Sequence, residues 1–188
     1  MNKNSDVLKG AAAGLLGGLV ASLVMNRFQA ALSKLGEDGE RSHGAQSQQS
    51  GSPDHGAGAF LVERGADDPD DDAAERTANL VAVGLLDRRL SESEKDIGGT
   101  IFHYAFGATS GALYGAVSEL VPAARVGWGL PFGFAVWLIA DEGVVPALGL
   151  SKSPAEYPIK THAYALASHL VYGLATDVAQ AIIRPRLS

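Results

Sequence analysis

Four long runs of apolar residues constrain most strongly what this chain can fold into. Seventeen consecutive uncharged residues lie between Lys9 and Arg27, and the runs near residues 100–121, 126–149 and 159–183 carry few ionisable side chains. A helix needs about 20 apolar residues to cross a bilayer core, and a water-soluble bundle would show polar faces at a helical period. The chain is therefore predicted to be an all-α integral membrane bundle of four transmembrane helices, at 8–31, 100–121, 126–149 and 159–183.

The segment between the first two predicted spans differs sharply in composition. It is rich in Gly, Ser, Gln and acidic residues, and this composition is typical of disorder. Acidic residues then open a stretch with an apolar stripe and with Arg88 and Arg89 near its end, which favours an amphipathic helix at the membrane interface. The predicted organisation is the N-terminus with transmembrane helix 1 (1–34), a disordered loop (35–72), the interfacial helix (73–96) and transmembrane helices 2–4 (97–188).

Charge and cysteine content exclude several classes of protein. The chain has no cysteine, so disulfides and thiolate metal sites are excluded. A net charge of −6 without a basic face argues against a nucleic-acid partner. An even number of spans places both termini on one side, which the positive-inside rule predicts to be cytoplasmic.

Small residues recur every four positions along the predicted spans and so follow one face of each helix. Such stripes let membrane helices approach closely. The glycines predicted to pack in this way are Gly14, Gly18, Gly107, Gly111, Gly115 and Gly173.

Polar residues that interrupt the apolar runs are the candidate functional residues. An ionisable residue within a span costs roughly 2.5–3.5 kcal/mol on insertion scales and is usually functional. Pro146 lacks an N–H and leaves the Glu142 carbonyl without its helical partner. Alternating spans bring six residues to one half of the bundle, and Glu119 and Asp177 to the opposite face. We call these six the polar cluster: Asn26, His103, Asp141, Glu142, His162 and His169.

Three stretches carry a resemblance to a known family: KGAAAGLLGGLVASLVMNRFQ, HYAFGATSGALYG and DEGVVPALGLSKSPAEYPIKTHAYALASHLVYG. They resemble the YagU-like bacterial inner-membrane proteins, a group of uncharacterised function. The most specific residues are Asp141, Glu142, Pro146, Gly149, Pro154, His162, His169, Tyr172 and Gly173. The resemblance implies a multi-pass protein of the bacterial inner membrane and supplies no substrate.

Three functional interpretations stay open at this point. The leading hypothesis is that the polar cluster senses or relays protons, or passes a small cation, because histidine titrates near neutral pH. In the second, the protein is a non-catalytic scaffold or accessory subunit and the cluster only holds helices together. The third is haem or metal binding through His103, His162 and His169.

Enzymatic activity is not expected, because no arrangement of nucleophile and base can be read from the sequence. No ligand spacing predicts a metal site, and no cofactor is predicted. The lipid bilayer is the expected partner, with a second copy of the chain or another membrane protein as further candidates.

Overall fold

The fold is all-helical throughout the part of the chain that the computed structural model describes, residues 3–35 and 51–187. The prediction of an all-α fold is confirmed over these residues, which contain no strand. The elements are α1 (Lys3–Leu35), α2 (Gly56–Glu63), α3 (Ala73–Leu86), α4 (Glu92–Leu120), α5 (Leu130–Val136), a π-helix (Trp137–Val144), α6 (Val145–Ala147) and α7 (Ile159–Ile183).

Three helical segments are long and apolar enough to cross a membrane: Lys3–Lys34, Leu130–Ala147 and Ile159–Leu187. They coincide with three of the four predicted spans. The remaining predicted span, 100–121, is the second in chain order. It corresponds to α4, which is not among the three segments. Glycine, serine, threonine, histidine and tyrosine between residues 98 and 118 dilute its hydropathy.

The predicted third span, 126–149, consists of three helical segments. Its first α-helical residue is Leu130, which follows Gly129 in a left-handed conformation. The π-helix comes next, and α6 follows it with Pro146 near its start. Proline has no N–H to donate along the helix, and π-helical turns often occur at functional sites.

The chain divides into two compact units. Unit 1 comprises Met1–Leu32, Tyr104–Trp137 and Leu166–Ser188, and unit 2 comprises Ser33–His103 and Leu138–Ala165. Within unit 1, a Cβ atom on Gly14 would lie 2.1 Å from the Gly111 carbonyl oxygen, and one on Gly18 would lie 2.2 Å from that of Gly107. Since no side chain fits at such distances, these parts of α1 and α4 meet backbone to backbone.

The same close approach joins α5 and α7 in unit 1. A Cβ on Gly133 would lie 2.1 Å from the His169 carbonyl oxygen, and one on Gly173 would lie 2.2 Å from that of Gly129. Beside these contacts, Ala21, Met25 and Tyr172 form a buried core with Phe132, Val136 and Ala175 packed against it.

Residues 51–72 are folded, although disorder was predicted over 35–72; residues 36–50 lie outside the described ranges. Leu61 of α2 is fully buried and packs with Ala66 and Val83 in unit 2. Asn79 donates to the Ala66 carbonyl (2.6 Å) and accepts from the Leu90 amide (3.2 Å). Polar side chains thus satisfy the buried backbone, an effect that composition does not reveal.

The segment predicted as one interfacial helix, 73–96, is divided between α3 and the start of α4. Asp72 and Glu75 form a capping box that begins α3, and Asp87 ends it in a left-handed conformation (φ 49°). The buried face of α3 carries Arg76 and Asn79 as well as Val83. Its exposed face carries apolar side chains, among them Val81, Leu85 and Leu86.

Candidate functional site

Two members of the polar cluster, Glu142 and His162, are in direct contact within unit 2. Glu142 lies in the π-helix and His162 is the fourth residue of α7. His162 Nδ1 lies 2.7 Å from Glu142 Oε1, and its Nε2 lies 3.0 Å from the Pro154 carbonyl oxygen. The two side chains are mostly buried, with 18% and 12% of the His162 and Glu142 surfaces exposed.

The protonated form of His162 suits this geometry better than the neutral form. A carboxylate and a carbonyl both accept hydrogen bonds, and an imidazolium has an N–H for each of them. A neutral ring has one N–H and one lone pair, so loss of the proton leaves one of the two contacts without a hydrogen. The two protonation states of the ring therefore differ in how many of these contacts they can make as hydrogen bonds.

The remaining members of the polar cluster occupy both units. His103 and buried Asp141 belong to unit 2, whereas Asn26 and buried His169 belong to unit 1. Asn26 Nδ2 donates to the Tyr104 hydroxyl at 3.2 Å. The sequence analysis selected Glu142 and His162 separately, and the structure shows that their side chains are in contact.

The two acids predicted for the opposite face, Glu119 and Asp177, each bind an arginine in unit 1. Asp177 accepts from Arg125 Nε and from the Tyr114 hydroxyl, both at 2.8 Å. Glu119 accepts from Arg184 Nε at 2.5 Å. These ion pairs connect the ends of helices within unit 1. The sequence analysis did not pair either arginine with an acid.

A histidine that the sequence analysis did not select contacts the chain just after the π-helix. His55 Nε2 lies 2.9 Å from the Pro146 carbonyl oxygen, and its Nδ1 lies 3.2 Å from Asp54. The hydrogen bond to Pro146, followed by that to Asp54, raises the pKa of His55. Two backbone amides of α2 bind the same part of the chain. The Ala57 amide donates to the carbonyl of residue 148 at 2.9 Å, and the Gly58 amide donates to that of residue 149 at 2.8 Å.

Three acids in unit 2 have oxygens close enough together to hold a metal ion: Asp68, Asp71 and Glu92. Lys95 Nζ already lies among them, 2.9 Å from Asp71 and Glu92 and 3.5 Å from Asp68. Burial alone would lower the pKa of Lys95, but its hydrogen bonds to Asp71 and Glu92 raise it above the usual value. The ammonium thus takes the position that a bound cation would need.

Glu75 is a further group in unit 2 whose pKa is raised. Its Oε2 accepts from the Asp72 amide at 2.8 Å within the capping box. Burial, together with the neighbouring acids Asp72, Asp96 and Asp71, raises the pKa of Glu75 to about 7. A folded protein that holds this proton is stabilised relative to the unfolded chain, which releases it at lower pH.

Glu75→Gln should therefore reduce the pH dependence of stability. The wild type is expected to lose stability as the pH rises from the usual glutamate pKa of about 4.3 through the folded value of about 7. Glutamine at this position keeps the capping box, so the variant should show a smaller loss over that range. Urea unfolding in detergent at several pH values measures it. Glu94→Gln is the control, because the hydrogen bond from the Ser91 amide lowers the pKa of Glu94. If stability changed equally with pH in the wild type and both variants, the raised pKa of Glu75 would be refuted.

Together, the fold and composition define an all-helical protein with helices apolar enough for a membrane. Residues 78–178 match the model of a family described as "Protein of unknown function (DUF1440)", over just more than half of the chain. The chain belongs to this family. No curated protein and no solved structure matches it.

Proposed function

We propose that this protein is a multi-pass membrane protein whose Glu142–His162 pair senses protons. In this proposal α4 also crosses the membrane, in addition to the three apolar segments, which gives four spans. The exposed face of α3 lies at the membrane interface. Support comes from large apolar side chains that α4 leaves exposed, including Ile97, Ile101 and Leu113, each more than 60% exposed. Lipid would cover side chains that water solvates poorly.

The more specific location follows from the sequence resemblance. We place the protein in the bacterial inner membrane as a YagU-like protein, with both termini in the cytoplasm. The motif residues Asp141, Glu142, His162 and His169 all lie within the part of the chain that the family model covers. The glycine contacts between α1 and α4 are those that close packing of membrane helices requires.

The observation that carries the proposal is the double contact of the His162 ring with Glu142 and the Pro154 carbonyl. It links the π-helix to the first turn of α7 and to the turn between them. Because only the imidazolium donates to both acceptors, a rise in pH should loosen this link. His162 is placed to report pH, since histidine changes charge near neutral pH.

Two other groups in unit 2 favour the same direction of response. The pKa values of His55 and Glu75 are both raised, so each stabilises unit 2 at low pH and loses that effect as the pH rises. His55 also contacts the carbonyl of Pro146, four residues after Glu142. A pH increase would thus weaken two contacts with the segment from the π-helix to α6.

The alternative functions have less support from the geometry. For haem or metal ligation, His162 would have to give up a contact at 2.7 or 3.0 Å, since both ring nitrogens are engaged. A scaffold role would use the same contacts only for cohesion, and it predicts no response to pH. A sensor also needs a recipient, for which we propose a second copy of the chain or another membrane protein.

Hydrogen exchange of residues 137–165 in lipid vesicles, compared between about pH 5 and 8, tests the proposal. Wild-type exchange, corrected for the intrinsic pH effect, should increase about fivefold at the higher pH, as expected from one hydrogen bond of about 1 kcal/mol. Glu142→Gln and His162→Gln should reduce this difference to the part that the His55–Pro146 contact contributes. Glu119→Gln removes an acid paired with arginine and should retain the wild-type difference.

Retention of the wild-type difference in both variants would refute proton sensing by the Glu142–His162 pair. A wild type without any pH difference would favour the scaffold. Proton flux into the same vesicles separates a sensor from a relay. A flux above that of empty vesicles, lost in Glu142→Gln, would extend the function to proton transfer.

A further inference from the structure

Trp128 lies in a turn where three consecutive residues have left-handed backbone conformations. The φ angles are 84° at Gly127, 59° at Trp128 and 78° at Gly129. Glycine adopts this region freely, whereas a bulky residue there costs about 1–2 kcal/mol. The Trp128 side chain is also 71% exposed, so packing inside the protein does not compensate this cost.

Backbone contacts hold the turn in a defined conformation. The Trp128 amide donates to the Arg125 carbonyl at 3.1 Å, and the Leu130 amide donates to the Gly127 carbonyl at 3.0 Å. A Cβ on Gly129 would lie 2.1 Å from the Gly173 carbonyl oxygen, so the turn rests directly on α7. The exposed indole therefore does not belong to a freely moving loop.

The position of the turn fits the boundary of a bilayer. Trp128 is two residues before Leu130, where an apolar membrane-compatible segment begins. Val126 and Val121 nearby are 71% and 51% exposed, and Arg125 supplies a partly exposed guanidinium. Tryptophan favours the headgroup level of membranes, because its ring is apolar and its N–H needs a polar partner.

We infer that the Trp128 turn is a membrane anchor whose indole inserts at the boundary between lipid headgroups and acyl chains. The anchor sets the depth of α5 and keeps the Arg125–Asp177 pair at the edge of the bilayer. This inference rests on the membrane placement proposed above and does not depend on the Glu142–His162 pair. Contact with lipid explains why Trp128 combines a strained backbone with an exposed aromatic ring.

The chain has two tryptophans, so their fluorescence can be separated by single substitutions. Trp137→Phe leaves Trp128, and Trp128→Phe leaves Trp137 inside the candidate span as an internal depth marker. Each protein is reconstituted in phosphatidylethanolamine–phosphatidylglycerol vesicles with phospholipids brominated near the glycerol end or near the middle of the chain. Bromines near the glycerol end should quench Trp128 about twofold more strongly than bromines near the middle of the chain. Trp137 should be quenched more strongly by the bromines near the middle of the chain.

The outcomes separate failure of the anchor from failure of the membrane placement. Strong quenching of Trp128 by aqueous iodide, with Trp137 quenched by bromine, would place the turn in water and overturn the anchor. Shielding of Trp128 from both quenchers would mean that protein covers it, which also overturns the anchor. If bromine quenches neither tryptophan, the membrane placement itself is wrong.

A glycine substitution tests whether the ring acts as an anchor. Trp128→Gly removes the indole and suits the left-handed backbone, so the fold should be retained. The ratio of shallow to deep quenching of Trp137 should differ between Trp128→Gly, which lacks a ring, and Trp128→Phe, which keeps an aromatic ring. Equal ratios in the two variants would overturn the proposal.

Discussion

Arg76→Met is expected to lower the free energy of unfolding of unit 2 by about 3–5 kcal/mol, because it removes one partner of a buried ion pair. The Arg76 side chain is fully buried; it donates to the carbonyls of Leu150 (3.0 Å) and Asp68 (2.9 Å) and lies 3.4 Å from Asp67. Methionine fills similar volume but removes the donor that these three acceptors share. Urea unfolding followed by hydrogen exchange in α2 and α3 measures the loss.

The matched control for Arg76 is Arg64→Met. Arg64 also pairs with an acid, Asp87 at 3.0 Å, but both side chains are more than half exposed. An exposed pair contributes about 0–1 kcal/mol, so this variant should unfold almost as the wild type does. A loss of similar size in the two variants would show that the buried contacts of Arg76 do not hold unit 2 together.

Gly111→Val should cost about 3 kcal/mol in unit 1, the upper part of the range for overpacked cores. A Cβ on Gly111 would lie 2.3 Å from the Gly14 carbonyl oxygen and 2.8 Å from the Gly18 Cα. These atoms belong to backbone and cannot move aside as a flexible side chain does, so α1 and α4 must separate. Denaturation by an ionic detergent, followed by circular dichroism, measures the loss.

Gly84→Val is the control for this substitution. No atom lies within 4 Å of a Cβ placed on Gly84, and valine has a slightly better helix propensity than glycine. Its stability should therefore stay close to that of the wild type. If Gly111→Val were equally stable, close contact between the glycines of α1 and α4 would not be required for folding.

The long helices could be predicted because their signal is local in the sequence. The predicted bounds of the last span, 159–183, are those of α7, which follows Pro158. The helix that contains the predicted span 100–121 begins earlier, at Glu92, because residues 92–99 are polar or small apart from Ile97 and yet helical. Gly98 and Gly99 approach Ala78 and Glu75 of α3, and this tertiary packing leaves no periodic pattern in the sequence.

The folded segment 51–72 and its contacts could not be predicted, because their partners are far away along the chain. Arg76 bonds to Leu150, and His55 bonds to Pro146, 91 residues away. One local signal was available: Asp72 followed three residues later by Glu75 is the pattern of a capping box. It indicates where α3 begins.

The candidate site was only partly predictable for a similar reason. Glu142 and His162 were selected because ionisable residues are rare in apolar runs. Their pairing depends on the turn between α6 and α7, whose geometry the sequence does not specify. The arginine partners of Glu119 and Asp177 were missed because an arginine that flanks a predicted span is ordinarily read as a topology signal.

The protonation state of His162 in a bilayer tests the central claim most directly. Solid-state NMR of the protein with isotope-labelled histidine observes both ring nitrogens, and His162→Gln identifies the signals of this residue among the five histidines. We predict that both nitrogens carry hydrogen at mildly acidic pH, that one is lost as the pH rises, and that Glu142→Gln alters this transition. A His162 ring with a single N–H at every pH, unchanged by Glu142→Gln, would contradict the account.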